Sequence, residues 1–304
     1  MGRHKMTQEA TKIPQPPAAP GKGGLRTRGI THDKLAADSP LVSIITISFN
    51  SAATIERAIC SVLKQSYRGI EYIIVDGASW DATVKIIRRY EDRIDYWQSE
   101  KDRGISDAFN KGIKLSTGSI LGILNSDDWY EKDAVLNAVK AFSEDQDAAI
   151  VHGNLRLHHN EKYLFTIRPQ EDVSSLRTEM VCNHPTCFVR REVYDKCGLF
   201  NTKLKYAMDH ELLLRAYLAG FKFRYSPGVT ANMQLGGRGD IKALSGFREV
   251  RDTSIAMGCP KLLAYMVFFR KAVRNFLRDR LGIQNPLRRW SRRADSSKFV
   301  EKSD

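Results

Sequence analysis

The chain has 304 residues, 42% of them hydrophobic and 27% charged, with a net charge of +13 at neutral pH. That length suits one large α/β domain or two small ones, and the composition is that of a globular protein, not a fibrous or disordered one. The charge sits at the ends: residues 1–35 carry seven Lys/Arg against two Asp/Glu, residues 261–304 carry twelve against four, and residues 36–260 are neutral overall. A neutral middle argues against a nucleic-acid-binding globule, and basic ends point to an anionic surface such as the cytoplasmic face of a membrane.

The five cysteines, Cys60, Cys182, Cys187, Cys197 and Cys259, are odd in number and form no C-x-x-C pair. This argues against a disulfide frame or a zinc site and fits reduced thiols in the cytosol. The N-terminus lacks the apolar stretch of a secretory signal. No uncharged run approaches the roughly eighteen residues of a spanning helix.

Residues 1–38 are rich in Pro, Gly, Ala, Lys and Thr and nearly free of large apolar side chains, so a disordered basic tail is expected. The fold should begin at Leu41–Ser48, a β-rich run ending in Phe49-Asn50. A helix pattern over Ala53–Gln65 puts Ile55, Ile59, Val62 and Leu63 on one face, and a strand follows over Glu71–Val75, ending in Asp76. Asp81 is placed to cap a second helix that runs to Tyr90. Then come a short strand, Ile94–Gln98, the polar Asp102-Arg103-Gly104, and a helix over Ile105–Leu115. Ile120–Leu124 reads as a buried strand running straight into Asn125-Ser126-Asp127-Asp128. Strand and helix alternating at this spacing predict an α/β fold with a mostly parallel sheet flanked by helices.

In such sheets ligands sit beyond the carboxyl ends of the strands. Four successive strand ends here carry Asn50, then Asp76, then Asp102 with Arg103, then Asp127 with Asp128. Turn chemistry explains one polar strand end, but four in a row, three of them with carboxylates, predict one site. Two adjacent carboxylates after a buried run repel each other and resist desolvation, and a divalent cation bridging to a phosphate would resolve both problems. The alternative is that one of the pair caps a helix beginning near Glu131. No G-x-G-x-x-G loop follows the first strand, which argues against a dinucleotide dehydrogenase.

Downstream, Ala148–His152 reads as a strand, and Leu155–His158 with Lys162–Ile167 as a hairpin. Thr186–Val189 reads as a strand preceded by His184-Pro185, and Arg191–Cys197 as a short helix. Asp209–Leu218 is a helix closed by Gly220, Phe221–Tyr225 a strand before Pro227-Gly228, and 242–257 a polar helix. Over residues 261–281, Leu262, Met266, Phe269, Val273 and Phe276 share one face, while Arg270, Lys271, Arg274 and Arg278 lie on others. That pattern fits a basic amphipathic helix at a membrane interface, with packing on the protein's own core as the alternative.

Five stretches, in order, resemble family 2 glycosyltransferases of the GT-A fold: Val42–Asn50, Ile74–Thr83, Asp102–Gly112, Thr117–Asp128 and Met208–Arg215. They cover residues 41–236 and look most similar to bacterial enzymes that build surface polysaccharides or lipid-linked glycans. The resemblance implies a Rossmann-like GT-A fold and an inverting transfer from a nucleotide-diphosphate sugar, UDP-linked in the first instance, to a glycan or lipid-linked acceptor. By position it implies that Phe49, Asn50 and Asp76 contact the nucleotide base, and that Asp102 and Arg103 line the nucleotide pocket with Asp107 and Asn110 behind them. It further implies that Asp127 faces the ribose and that Asp128 binds Mg²⁺ or Mn²⁺ on the diphosphate.

Asp209 falls at the family's catalytic base, with His210 and Glu211 as alternatives; a helix-start carboxylate stabilised by the dipole is the plainer reading. His184 is a candidate phosphate or acceptor contact or else a structural histidine, and Gly236-Gly237-Arg238 resembles the family's mobile loop near the diphosphate. The expected division is a tail (1–38), a GT-A domain (39–240) and a basic helical extension (241–304). Within the GT-A domain, residues 39–130 form the nucleotide-binding half and 131–240 the acceptor half. The enzyme would work as a peripheral protein on the inner face of the cytoplasmic membrane. One rival is a nucleotidyltransferase, which would carry a glycine-rich basic loop where Asn50-Ser-Ala-Ala53 stands. The other is an inactive binding scaffold, against which the presence of Asp76, Asp127, Asp128 and Asp209 counts.

Overall fold

The computed structural model of the chain describes residues 21–31, 39–159, 161–235 and 243–280. Its first strand, β1 (Gly21–Gly23), lies antiparallel along one edge of a single large sheet. Next to it stand four parallel strands in the spatial order β4 (Tyr96–Ser99), β3 (Ile70–Asp76), β2 (Val42–Ser48) and β5 (Ile120–Asn125). Every residue of β2 is buried, as expected of a central parallel strand covered on both faces, and its β-branched run supplies the side chains for that. Alternation splits them: Ile44 joins the core under α1 (Ile55–Leu63) and α2 (Thr83–Arg89), while Ile45 and Ile47 join the core under α3 (Ile105–Leu115). Gly112 lets α3 come this close, since a Cβ there would sit 2.3 Å from Ile45 Cγ2.

The second half continues the same sheet but mixes directions. Beyond β5 come β9 (Phe188–Arg190), antiparallel to it, then β7 (Ala148–His159) and β10 (Lys222–Gln234), which are parallel to each other. The two-residue β6 (Trp129–Tyr130) closes the far edge on β10, and β8 (Lys162–Ile167) hairpins onto β7. Helices α4 (Ala134–Glu144), α5 (Arg191–Cys197) and α6 (Met208–Leu218) cover this half, followed by α7 (Ala243–Ala256) and α8 (Lys261–Arg280). The predicted mostly parallel sheet therefore holds for the first half, and the whole is a mixed α/β sheet flanked by helices.

Two local expectations change. Residues 21–31, expected within a disordered tail, are folded onto the sheet edge: Arg26 donates two hydrogen bonds to Leu115 O at 2.9 and 2.8 Å and lies 3.7 Å from the buried Glu71. The glycines that lower the segment's ordering propensity are what admit it, because Gly23 lies against the Trp97 indole with no room for a Cβ. The rest of the tail lies outside the described residues. The strand expected to stop before Pro227 instead runs through it, a register shift between Tyr225 and Thr230 absorbing the residue that cannot donate to the ladder.

Candidate active site

The carboxyl ends of β2, β3 and β4 are tied together by one carboxylate. Asp76 is 0% exposed. Its Oδ1 accepts from Ser48 Oγ (2.8 Å) and Ser79 Oγ (2.6 Å), and its Oδ2 from Ser79 N (2.9 Å) and Ser99 Oγ (2.7 Å). Four donors use all the acceptor capacity a carboxylate has. Asp76 is thus a structural clamp that ties three strand ends together, with its acceptor sites engaged in this structure. The groups that do face outward are Phe49, 42% exposed, and Trp80, 44% exposed, whose rings meet edge to face at 5.0 Å. Asn50, at φ 50°, donates its N–H to Ser79 Oγ and accepts from Trp80 N at 3.0 Å, so it shapes this aromatic corner.

Asp102 comes to the same corner. Its Oδ2 would lie 2.5 Å from a Cβ on Gly77, and Phe49 Cδ2 would lie 3.3 Å from the same atom. Desolvation raises the Asp102 carboxyl above its ordinary range, against the hydrogen bond it accepts from Gly104 N. Arg103, by contrast, is extended into solvent and paired with Asp107 at 3.1 Å. Asn110 exchanges two 2.9 Å bonds with the backbone of Phe200, fastening α3 to the loop that leads toward α6.

At the end of β5, Asp127 is half-buried and Asp128 is 1% exposed. Neither caps α4, which begins after Asp133. Asp128 Oδ2 accepts from Asn125 Nδ2 at 3.2 Å, while its Oδ1 is buried with no partner. Burial, then the charge of Asp127, pushes the Asp128 carboxyl well above the usual range, and burial also raises Asp127. Arg57 reaches the Asp127 carbonyl and stacks on Trp129, its guanidinium carbon 3.7 Å from the ring centroid.

Across the sheet, Asp209 stands half-buried in the first turn of α6, where its Oδ1 accepts from His210 N at 2.8 Å. The two alternatives to it are engaged elsewhere. Glu211 is 7% exposed and holds Arg215 through two 2.8 Å bonds. His210 is 0% exposed, its Nε2 is 2.8 Å from Leu176 O, and burial lowers its pKa. His184 opens a tight turn, His184–Thr186, that packs on β5, β7 and β10. Its ring lies 5.5 Å from that of Phe109, and burial lowers its pKa, partly offset by the charge of Asp209. Cys187 closes this turn, its thiol raised well above its ordinary range by the neighbouring Cys182 and by burial, while Tyr130 is held un-ionised by burial, then by Cys187 and Asp128. Arg238 and its neighbours lie outside the described residues.

A family model described as glycosyl transferase family 2 matches residues 43–198. The chain belongs to that family. An uncharacterised glycosyltransferase of Mycobacterium tuberculosis (strain H37Rv) is 36% identical over 184 residues, 59% of this chain and 70% of that protein. Chondroitin synthase of Escherichia coli is 28% identical over 234 residues, 73% of this chain and 34% of the synthase, so the chain spans about a third of that relative. S. aureus TarS 1–349 in complex with UDP-GlcNAc is similar at a TM-score of 0.57 and 18% identity, over 75% of this chain and 70% of that one. The mannosyltransferase PcManGT from Pyrobaculum calidifontis, in complex with GDP-Man and Mn²⁺, has a TM-score of 0.57 at 20% identity over 87% of each chain. The fold is of the GT-A type.

As a family 2 glycosyltransferase the chain is a transferase enzyme, which sets aside the nucleotidyltransferase and inactive-scaffold readings. Two residues of the candidate site escaped the sequence reading. Trp80 could have been found as a large apolar side chain between Ser79 and Asp81, where turn chemistry offers it no core. Glu249 could not. From α7 its carboxylate accepts from the amides of Lys205, Tyr206 and Ala207 at 3.1, 2.7 and 3.0 Å, fixing the entry to α6. Nothing in the spacing joins position 249 to position 209.

Proposed function

We propose that the protein is a metal-dependent inverting glycosyltransferase that moves a sugar from a nucleotide-diphosphate sugar, of the UDP class, to a glycan or lipid-linked acceptor in cell-surface polysaccharide synthesis. The observation that carries this reading is Asp128, a buried carboxylate with one oxygen unpartnered beside a second carboxylate. An orphan buried acceptor asks for a cation or a donor. Among the described residues no cluster of three His, Cys, Asp or Glu side chains is arranged to hold a metal ion. Asp128, with Asp127 beside it, fits a cation whose other ligands come from the sugar donor's diphosphate and water, as Mg²⁺ prefers. When bound, Mg²⁺ or Mn²⁺ would stabilise the departing diphosphate as a Lewis acid.

The other steps fall to the chain's own side chains. Phe49 and Trp80 offer ring faces and edges on which a nucleotide base can stack. Asp102 and Asp127 flank the nucleotide and ribose. Asp209 takes the proton of the attacking acceptor hydroxyl as that oxygen displaces the diphosphate from the anomeric carbon, in one step with inversion and no enzyme-bound sugar. Its first-turn position favours negative charge. His184, kept neutral by burial, can hydrogen-bond the acceptor beside it. The reading also takes the enzyme to work at the cytoplasmic face of a membrane, where a lipid-linked acceptor is presented and the basic ends are attracted.

The test is thermal unfolding with a panel of nucleotide sugars, with and without Mn²⁺. A true donor at a hundredfold excess over its Kd adds about 2.7 kcal/mol by mass action. That gain should require Mn²⁺ and vanish in Asp128→Asn. Stabilisation by a donor that is equal with and without the metal would overturn the metal assignment.

A further inference from the structure

α8 is held to the protein by one side only. Ala264 is 3% exposed, Lys271 Nζ bonds Glu179 at 2.8 Å, and Arg251 of α7 stacks on Phe268 at 4.8 Å. The opposite side carries Leu262, Met266, Phe269, Val273 and Phe276, exposed by 73, 54, 58, 52 and 55%. A helix that merely packs on its own domain turns such residues inward. Here the large apolar side chains point away from the domain that anchors them.

We propose that this outer face of α8 is the surface by which the enzyme docks on an anionic lipid leaflet. Three observations select that occupant. At about 100° per residue, the exposed apolar arc from Tyr265 round to Leu263 spans about 160°, far wider than the two-position seam along which a pair of helices meets. Arg274 lies along one margin of the arc beside Arg270, which reaches Glu179 at 3.6 Å, and the helix holds a single acid, Asp279. The sequence then continues past α8 with Arg288, Arg289, Arg292 and Arg293. Apolar width with a basic margin is the chemistry of an interfacial helix on anionic headgroups. No helix among the described residues is long and apolar enough to cross a membrane, so α8 lies on the leaflet.

The docking helix is fastened to the acceptor half. Glu179, its ion-pair partner, precedes the His184 turn, and α7 beneath it supplies Glu249 to the entry of α6. Docking therefore turns the Asp209 side of the molecule toward the leaflet, where an acceptor with a lipid anchor is offered. This last step rests on the proposed glycosyltransfer; the docking itself does not.

The test is sedimentation of the full-length protein with vesicles of phosphatidylcholine alone or mixed with phosphatidylglycerol, at low and high salt. The wild type should prefer the phosphatidylglycerol vesicles by roughly tenfold or more, a preference that shrinks with salt. Met266→Asp/Phe269→Asp, altered only on the exposed face, should lose at least roughly tenfold in vesicle binding while its unfolding temperature stays unchanged. Equal vesicle binding by this variant overturns the proposal. So does a lipid-free dimer that the variant dissolves, since a second copy would then own the face. Vesicle binding needs no catalysis, so failure of Mn²⁺-dependent donor binding would fault the reading of the cleft and leave the docking surface intact.

Discussion

Glu249→Ala should separate catalysis from donor binding. Its carboxylate accepts three backbone amides, from Lys205, Tyr206 and Ala207, at 2.7–3.1 Å and half-buried. Water can replace part of each bond once the side chain is gone, so each counts for about 0.5–1 kcal/mol and the set for about 2 kcal/mol. In a chain of this size that lowers the unfolding temperature by roughly 3 °C. The kinetic effect should be larger. Asp209 lies two residues beyond Ala207, and a shift of about 1 Å in a reacting group can cost a hundredfold in rate. We expect kcat to fall at least roughly tenfold, with the donor Kd unchanged, because the aromatic corner and the acid pair do not touch α7. Glu249→Gln, which keeps one acceptor oxygen, should fall in between. Calorimetry for donor affinity and steady-state assays for kcat check both. If Glu249→Ala loses stability but keeps its turnover, the entry to α6 is held by other contacts and the reasoning is wrong.

Other substitutions test the remaining parts. Asp209→Asn keeps the shape of the first turn but cannot take a proton, so kcat should drop by roughly a hundredfold, about 2.7 kcal/mol, with donor binding intact. A variant that keeps most of its turnover would return Asp209 to a helix-end role. Asp76→Ala strands four buried donors and should lower stability by about 3 kcal/mol or more in urea unfolding. Normal stability with weakened nucleotide binding would instead restore Asp76 to the base. His184 and His210 have pKa values lowered by burial, so the folded state binds protons less readily than the unfolded one near pH 6.5. Their contribution is complete above that pH and lost as pH falls below it. The melting temperature should drop between about pH 6.5 and 5, less steeply in His210→Gln, and an unchanged slope would refute the assignment.

The strands and helices of the first half were legible because each carries one unbroken period and each connection is short. β2 through β5 follow from apolar runs, and their polar ends follow from where such runs stop. What the sequence hid were cross-chain relations. Asp76 reads as an exposed strand-end carboxylate until Ser48, Ser79 and Ser99 are seen around it. Glu211 reads as a spare acid until Arg215, one helical turn on, takes it. The antiparallel β9 between β5 and β7 has no local signal either, since three residues cannot show which neighbour they pair with.

The short strand β1 has a meaning for how the protein is handled and for what surrounds it. Without Gly21–Gly23, β4 would be an open edge, with free ladder groups above a large indole. Open edges recruit other chains. Trimming the first 38 residues as a dispensable tail would therefore uncover a sticky seam, and the product should precipitate on storage where the full chain does not. A fusion partner attached at residue 1 spares the seam; one spliced in at residue 39 does not.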